Sequence, residues 1–95
     1  MPALKMEFPE TFSDGRGTFR ACAMAGECAD GSWEGWPEFV LMGHERAAVY
    51  ATPIEARHHD RATMTQWAAG LTDSYATEAL ARATVRQPTT SASQL

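Results

Sequence analysis

The stretch best suited to chemistry is Arg-His-His-Asp at residues 57–60. Two imidazoles could bind a metal ion together with Cys22 or Cys28, or could transfer protons near neutral pH. Adjacent residues on an extended segment point in opposite directions, so His58 and His59 are poorly placed to ligate one ion. The spacings CxxC, HxH and HExxH do not occur in the chain. We interpret the segment as a solvated loop before a helix, and keep a metal-binding or enzymatic site at the two histidines as an alternative.

The cysteines and glutamates give no stronger sign of catalysis. Cys22 and Cys28 would lie about 20 Å apart on one strand, whereas a disulfide requires Cα atoms within about 7 Å. We therefore expect two reduced thiols. Glu34 and Glu38 would lie about 13 Å apart on one strand face, and a glycosidase pair needs roughly 5 to 10 Å. We predict no catalytic residue, no metal site and no cofactor.

Two tryptophans stand three residues apart in the segment DGSWEGWPEF, residues 30–39. Side chains alternate along a strand, so Trp33 and Trp36 should point to opposite faces. Trp33 shares its face with non-polar residues and is expected in the core, whereas Trp36 shares its face with Glu34 and Glu38. Tryptophan is a preferred anchor at protein interfaces, and carboxylates suit a partner's Arg or Lys. We predict that Trp36, Glu34 and Glu38 bind another protein.

Other arrangements of this strand stay open. Phe8 and Phe12 could fold over Trp36 and bury it in a second small core. Pro37 lacks an N–H donor, so the strand is expected to be an edge or to contain a bulge, and a bulge would exchange the two faces downstream. An unpaired edge would also let a partner, or a second copy in a homo-oligomer, add a strand.

The pattern around these residues predicts a small α+β domain. Residues 1–17 have no sustained period and are interpreted as an irregular arm. Alternation from residue 18 predicts three strands, the first two joined by a type I′ turn at Asp30-Gly31. After Asp60, an N-cap candidate, apolar residues follow a helical period. The predicted fold is a three-stranded antiparallel meander followed by one kinked helix or two short helices packed on one face. The single domain covers residues 18–86, and residues 87–95 are expected to be a disordered tail.

Composition narrows the class of protein. The 95 residues contain 8 Lys and Arg against 12 Asp and Glu, a formal net charge of −4. A nucleic-acid-binding protein usually carries a basic surface, so direct binding to nucleic acid is not expected. The sequence shows neither an apolar stretch of signal-peptide length nor the roughly 20 apolar residues of a membrane span. We therefore predict a cytoplasmic protein with no membrane association.

Two blocks of the sequence resemble known groups. DGSWEGWPEFV (residues 30–40) and TQWAAGLTDSYATEALARA (residues 65–83) are similar to short bacterial proteins of unknown function that carry W-x-G-W-x-E-F and W-A-x-G-L-T-x-x-Y motifs. A looser likeness is to the HicB-type antitoxin domain, on which Asp30, Gly31, Trp33 and Phe39 could be placed. The first resemblance implies a small α+β module, and the second implies a toxin-neutralising role. The chain departs from the HicB pattern because it has no G-D-T-x-x-E-A stretch before its helix.

These observations favour a non-catalytic protein-binding module that acts as an accessory subunit, regulator or inhibitor of a bacterial protein or complex. A HicB-like antitoxin and a small metal-binding or enzymatic protein using His58 and His59 are the alternatives.

Overall fold

The computed structural model describes residues 4–43 and 48–86. In chain order the elements are β1 (Leu4–Asp14), β2 (Gly17–Glu27), β3 (Trp33–Leu41), β4 (Val49–Ala51), β5 (Ala56–His58), α1 (Arg61–Ala69), α2 (Asp73–Arg82) and β6 (Thr84–Val85). The strands form one sheet in the order β1-β2-β3-β4-β6, and β5 also pairs with β3. Every pairing is antiparallel.

The predicted α+β class, with an antiparallel sheet and two helices, is confirmed, but the predicted number of strands is wrong. The described residues form six strands rather than three. The segment expected to be an irregular arm contains β1, whose register shifts between Glu7 and Thr11. This bulge breaks the alternation that would have revealed the strand. β4 lies within the predicted third strand. The interpretation of residues 57–60 as a loop is wrong for Arg57 and His58, which belong to β5 and pair with β3. The predicted disordered tail lies outside the described residues.

The connection between β2 and β3 is not the predicted type I′ turn. Such a turn needs a positive φ at both central residues. Gly31 has a φ of +88°, but among the described residues only glycines have a positive φ, so Asp30 does not. The loop is instead closed by the N–H of Cys28, which donates to the carbonyl of Ser32 at 2.7 Å.

Pro37 lies in a central strand, so the prediction of an edge or a bulge at this residue is wrong. β2 pairs with β3 continuously, with Ala23 opposite Pro37. On the other side of β3, β5 pairs with residues 33–35 and β4 pairs with residues 38–40. Pro37 falls between these two short strands, where its missing N–H interrupts neither ladder.

Both helices begin at N-cap residues, and the first of these is Asp60, the candidate indicated by the sequence. The carboxylate of Asp60 accepts a hydrogen bond from the N–H of Thr63 at 2.8 Å, and α1 ends at Gly70. The hydroxyl of Thr72 accepts from the N–H of Tyr75 at 3.1 Å and begins α2. Each cap satisfies a backbone donor of the first turn. Neither described helix has the length and apolar character needed to cross a membrane.

The two helices pack on the same face of the sheet. One cluster joins α2 to the first three strands through Phe12, Phe19, Ala21, Phe39, Ala76, Ala79, Leu80 and Ala83. The second joins α1 to β2 and β3 through Ala25, Trp33, Met64 and the partly buried Trp67. Trp33 and Phe39 are both buried, as predicted from their positions on the strand.

Arg16 lies in the turn between β1 and β2, and its side chain links this turn to the C-terminal end of α2. Its guanidinium donates to the carbonyls of Leu80 at 2.6 Å and Ala83 at 3.0 Å. It also forms an ion pair with Asp14 at 2.6 Å and lies 4.9 Å from the ring centroid of Tyr50. The hydrogen bond from Arg16 lowers the pKa of Asp14. A cation at a helix C-terminus satisfies carbonyls that have no partner within the helix.

Candidate functional site: the open face of the sheet

The helices cover one face of the sheet, and none of the described elements covers the other. We call this second face the open face. The strand register places on it Lys5, Glu7, Arg20, Cys22, Met24, Glu34, Trp36, Glu38, Val40, Val49, Ala51 and Arg57. The predicted partner-binding residues Trp36, Glu34 and Glu38 therefore lie together on a face that has no helix above it.

The middle of the open face is apolar. Met24 lies opposite Trp36 in the register, and Cys22 lies one pair further along, opposite Glu38. Cys22 and Met24 are only 7% and 9% exposed, and Trp36 and Val40 are half-buried. Solvated faces of antiparallel sheets usually carry polar side chains. This face instead has an apolar centre that contains one carboxylate, Glu38, between Trp36 and Val40, and it has further charged residues at its border.

Trp36 is held in place from two sides. Its indole N–H donates to Oε2 of Glu38 at 2.9 Å. Arg86, just after β6, donates to the same carboxylate oxygen at 3.3 Å. The guanidinium of Arg86 lies 5.6 Å from the centroid of the Trp36 ring, within reach of a cation–π interaction. These contacts within the chain fix the orientation of the ring.

The two glutamates of the predicted binding site each form an ion pair with an arginine of the same chain. Glu38 pairs with Arg86, and Glu34 pairs with Arg57 of β5. Their side chains are only 17% and 26% exposed. These pairs could not be predicted from the sequence, because the arginines follow their partners by 48 and 23 residues. Both carboxylates therefore stabilise the fold of this chain. Glu38 orients Trp36, and Glu34 links β3 to β5.

The N-terminal aromatic residues do not cover Trp36, so that alternative is wrong. Phe8 and Phe12 contact each other edge to face, with ring centroids 5.6 Å apart. Both belong to the core cluster beneath α2, on the opposite side of the sheet.

The cysteines are free, as expected, and neither forms a disulfide. Burial raises the pKa of the Cys22 thiol, and the nearby charge of Lys5 opposes this rise. A raised pKa keeps the thiol protonated near neutral pH, and the protonated form is a poor nucleophile. Cys22 therefore contributes to the apolar centre of the open face as a small non-polar side chain.

The two histidines lie at a different place, in a polar cleft between the β2–β3 loop and the start of α1. The cleft has a volume of about 380 Å³ and is lined by Asp30, Gly31, Ser32, Arg57, His58 and His59. Asp30 accepts hydrogen bonds from the N–H and hydroxyl of Ser32, which lower its pKa. His58 pairs with Trp33 in the register and shares the helix-covered face, so the sheet separates it from Cys22. Within residues 4–43 and 48–86, no three His, Cys, Asp or Glu residues are grouped so that they could hold a metal ion.

Comparison with models of known protein families, with curated proteins and with solved structures found no match to this chain.

Proposed function

We propose that this chain is a non-catalytic protein-binding module that works in the bacterial cytoplasm as an accessory subunit, regulator or inhibitor, and that its contact surface is the open face. One observation carries the proposal. Trp36 is held in a fixed orientation within the apolar centre of a sheet face that no described element covers.

The distribution of residue types on this face supports the proposal. Protein interfaces typically have an apolar core and a polar rim, and tryptophan is enriched among the residues that contribute most to binding. Here Cys22, Met24, Trp36 and Val40 are the apolar residues. Glu38, which lies between Trp36 and Val40 on β3, is paired with Arg86, and the pairs Glu7–Arg20 and Glu34–Arg57 lie on either side. A side chain that is already ordered loses less conformational entropy on binding, so Glu38 and Arg86 favour Trp36 as an anchor.

The charged residues in and beside the polar cleft have structural roles. Asp30 is engaged in its own loop, and Arg57 is paired with Glu34. Asp60 is occupied as the N-cap of α1. The groups that could do chemistry beside His58 and His59 are thus used to build the loop and the helix start, and we assign no reaction to the cleft.

The proposal can be tested with one disruptive variant and one matched control. Val40→Glu places a charge in the apolar centre. Because Val40 lies opposite Arg20 in the register, the new carboxylate has a cationic neighbour and the fold should persist. Ile54→Glu introduces the same charge at an apolar residue that is 43% exposed and lies between β4 and β5, outside the paired strands.

The tagged wild type and both variants would be used to capture proteins from cells that produce the chain, and a captured protein would then be purified and titrated. We expect it to bind wild type and Ile54→Glu equally, and to bind Val40→Glu at least about tenfold more weakly, a difference of about 1.4 kcal/mol. Equal binding to all three proteins, or no captured protein, would refute the proposed function.

A further inference from the structure

We infer that the occupant of the open face is a second copy of this chain, packed sheet to sheet to form a two-fold symmetric dimer. The inference rests on the contact surface of the proposed function and goes beyond it, because it names a second copy of this chain, rather than another protein, as the occupant. It rests on the size of the face, its charge and its apolar centre.

The face is large enough for a stable dimer. The molecule is a slab with extents of 39, 36 and 18 Å, so it is thin in one direction and broad in the other two. A standard interface buries about 800 Å² on each partner. The broad side of this slab exceeds that area, and two facing sheets pack about 10 Å apart. A second sheet laid on the open face would therefore enclose a second core.

The charge of the face suits a second copy. Its acidic residues are Glu7, Glu34 and Glu38, and its basic residues are Lys5, Arg20, Arg57 and Arg86. This set has a formal charge of +1. Among the other residues that the structure describes, eight are acidic and three are basic, a formal charge of −5.

In a two-fold dimer the same surface of each copy meets itself, so a contact through the open face brings together charges of +1 and +1, whereas a contact through the rest of the surface brings together −5 and −5. Most charges on the face are also present as pairs of opposite sign: Glu7 with Arg20, Glu34 with Arg57, and Glu38 with Arg86. Each copy thus presents both signs to its mate, which a self-complementary two-fold interface requires. The electrostatic potential of this face is not complementary to that of a strongly acidic or strongly basic partner.

The apolar centre supplies a reason for the copies to associate. Trp36 would bring the same pre-oriented ring from both sides, and Val40 and Val49 are half-buried in the described chain and lie on the same face. A chain of 95 residues buries a smaller fraction of its surface than a larger domain does. Cys22 and Met24 are already buried in the single chain, so a second copy would cover the exposed parts of Trp36, Val40 and Val49.

The experiment is sedimentation equilibrium of the untagged chain from about 1 to about 100 μM, a range that detects micromolar association. We expect wild type and Ile54→Glu to approach twice the chain mass of 10.4 kDa. Val40→Glu should remain at the mass of one chain. Circular dichroism would show that the variant is folded, and Val49→Glu, on the same face, serves as the second disruptive variant if Val40→Glu does not fold.

Two outcomes would overturn the dimer. One is a single-chain mass for wild type over the whole range, and the other is a dimer that both face variants leave intact. The dimer and the proposed function can fail separately. A monomeric wild type that still loses a captured protein on Val40→Glu would refute the dimer and retain the proposed function with a different partner. A dimer lost on Val40→Glu without any captured protein would support the second copy and refute binding to another protein.

Discussion

The ring of Trp67 lies where a side chain on Gly35 would begin. A Cβ placed on Gly35 would lie 2.6 Å from Cζ3 of Trp67 and 2.8 Å from Sδ of Met64. The glycine between the two tryptophans of β3 therefore lets α1 pack directly onto the strand backbone. This explains why a glycine interrupts an otherwise bulky segment: it provides the space that a tryptophan from the helix fills.

We expect Gly35→Ala to destabilise the protein by about 1–3 kcal/mol, the usual cost of overpacking a filled core. The measurement is the free energy of unfolding in urea. The control is Gly15→Ala, since a Cβ on Gly15 meets nothing within 4 Å. That change should stay within about 0.5 kcal/mol. Equal stabilities of the two variants would mean that α1 does not pack against Gly35 as described.

Arg16→Ala should destabilise the protein by about 1.5–3 kcal/mol, because the carbonyls of Leu80 and Ala83 lose a charged donor. Arg20→Ala is the comparison, since Arg20 forms an exposed ion pair with Glu7 at 3.3 Å. An exposed pair contributes about 0–1 kcal/mol. Thermal unfolding of both variants gives the comparison, and an Arg16→Ala protein as stable as Arg20→Ala would exclude a structural role for the bonds to α2.

Tyr75 should ionise only at strongly alkaline pH. Burial, and then the nearby charge of Glu55, raise its pKa to about 12. Its hydroxyl donates to the Glu55 carboxylate at 3.2 Å. Because the folded pKa lies above the unfolded value of about 10, the resulting stability is fully present below pH 10 and is lost as the pH rises towards 12.

Phenolate absorbance would measure this pKa in a Tyr50→Phe background, which leaves Tyr75 as the single tyrosine. Adding Glu55→Gln should lower the pKa of Tyr75, since it removes the negative charge that opposes ionisation of the phenol. A Tyr75 midpoint near the ordinary value with Glu55 intact would contradict the burial of the hydroxyl beside that carboxylate.

The two neighbouring tryptophans should respond differently to truncation. Trp33 is 7% exposed within the core beneath α1, so Trp33→Ala is expected to cost about 3–5 kcal/mol. Trp36→Ala removes a half-buried ring from the open face and should cost less. Urea unfolding of both variants tests this order. The reverse order would place Trp36, rather than Trp33, in the principal core.

Side-chain alternation and helix caps were readable from the sequence, because both depend on neighbouring residues. The opposite facing of Trp33 and Trp36 and the N-cap at Asp60 follow from local geometry alone. β5 and β6 could not be recognised in this way, since strands of three and two residues are too short to show a period. β1 was long enough, but its bulge removed the regular alternation.

The members of the candidate site could be predicted, but not the contacts that hold them. The identity and spacing of Glu34, Trp36 and Glu38 placed them on one face. Their arginine partners come from β5 and from the residue after β6, and only the folded sheet brings those segments beside β3. Long-range pairing of this kind leaves no mark in a single sequence.

The bulge in β1 also bears on how the protein can aggregate. β1 is the last strand on its side of the sheet, and its 11 residues could template fibril growth by open-ended strand addition. The register shift between Glu7 and Thr11 interrupts that template, and it spans Pro9 and Glu10. A proline without an N–H and a local bend both oppose continuous pairing with another molecule. The bulge and Pro9 thus oppose the open-ended addition of strands to β1. The dimer proposed for the open face, by contrast, is complete with two molecules and cannot grow into a fibril.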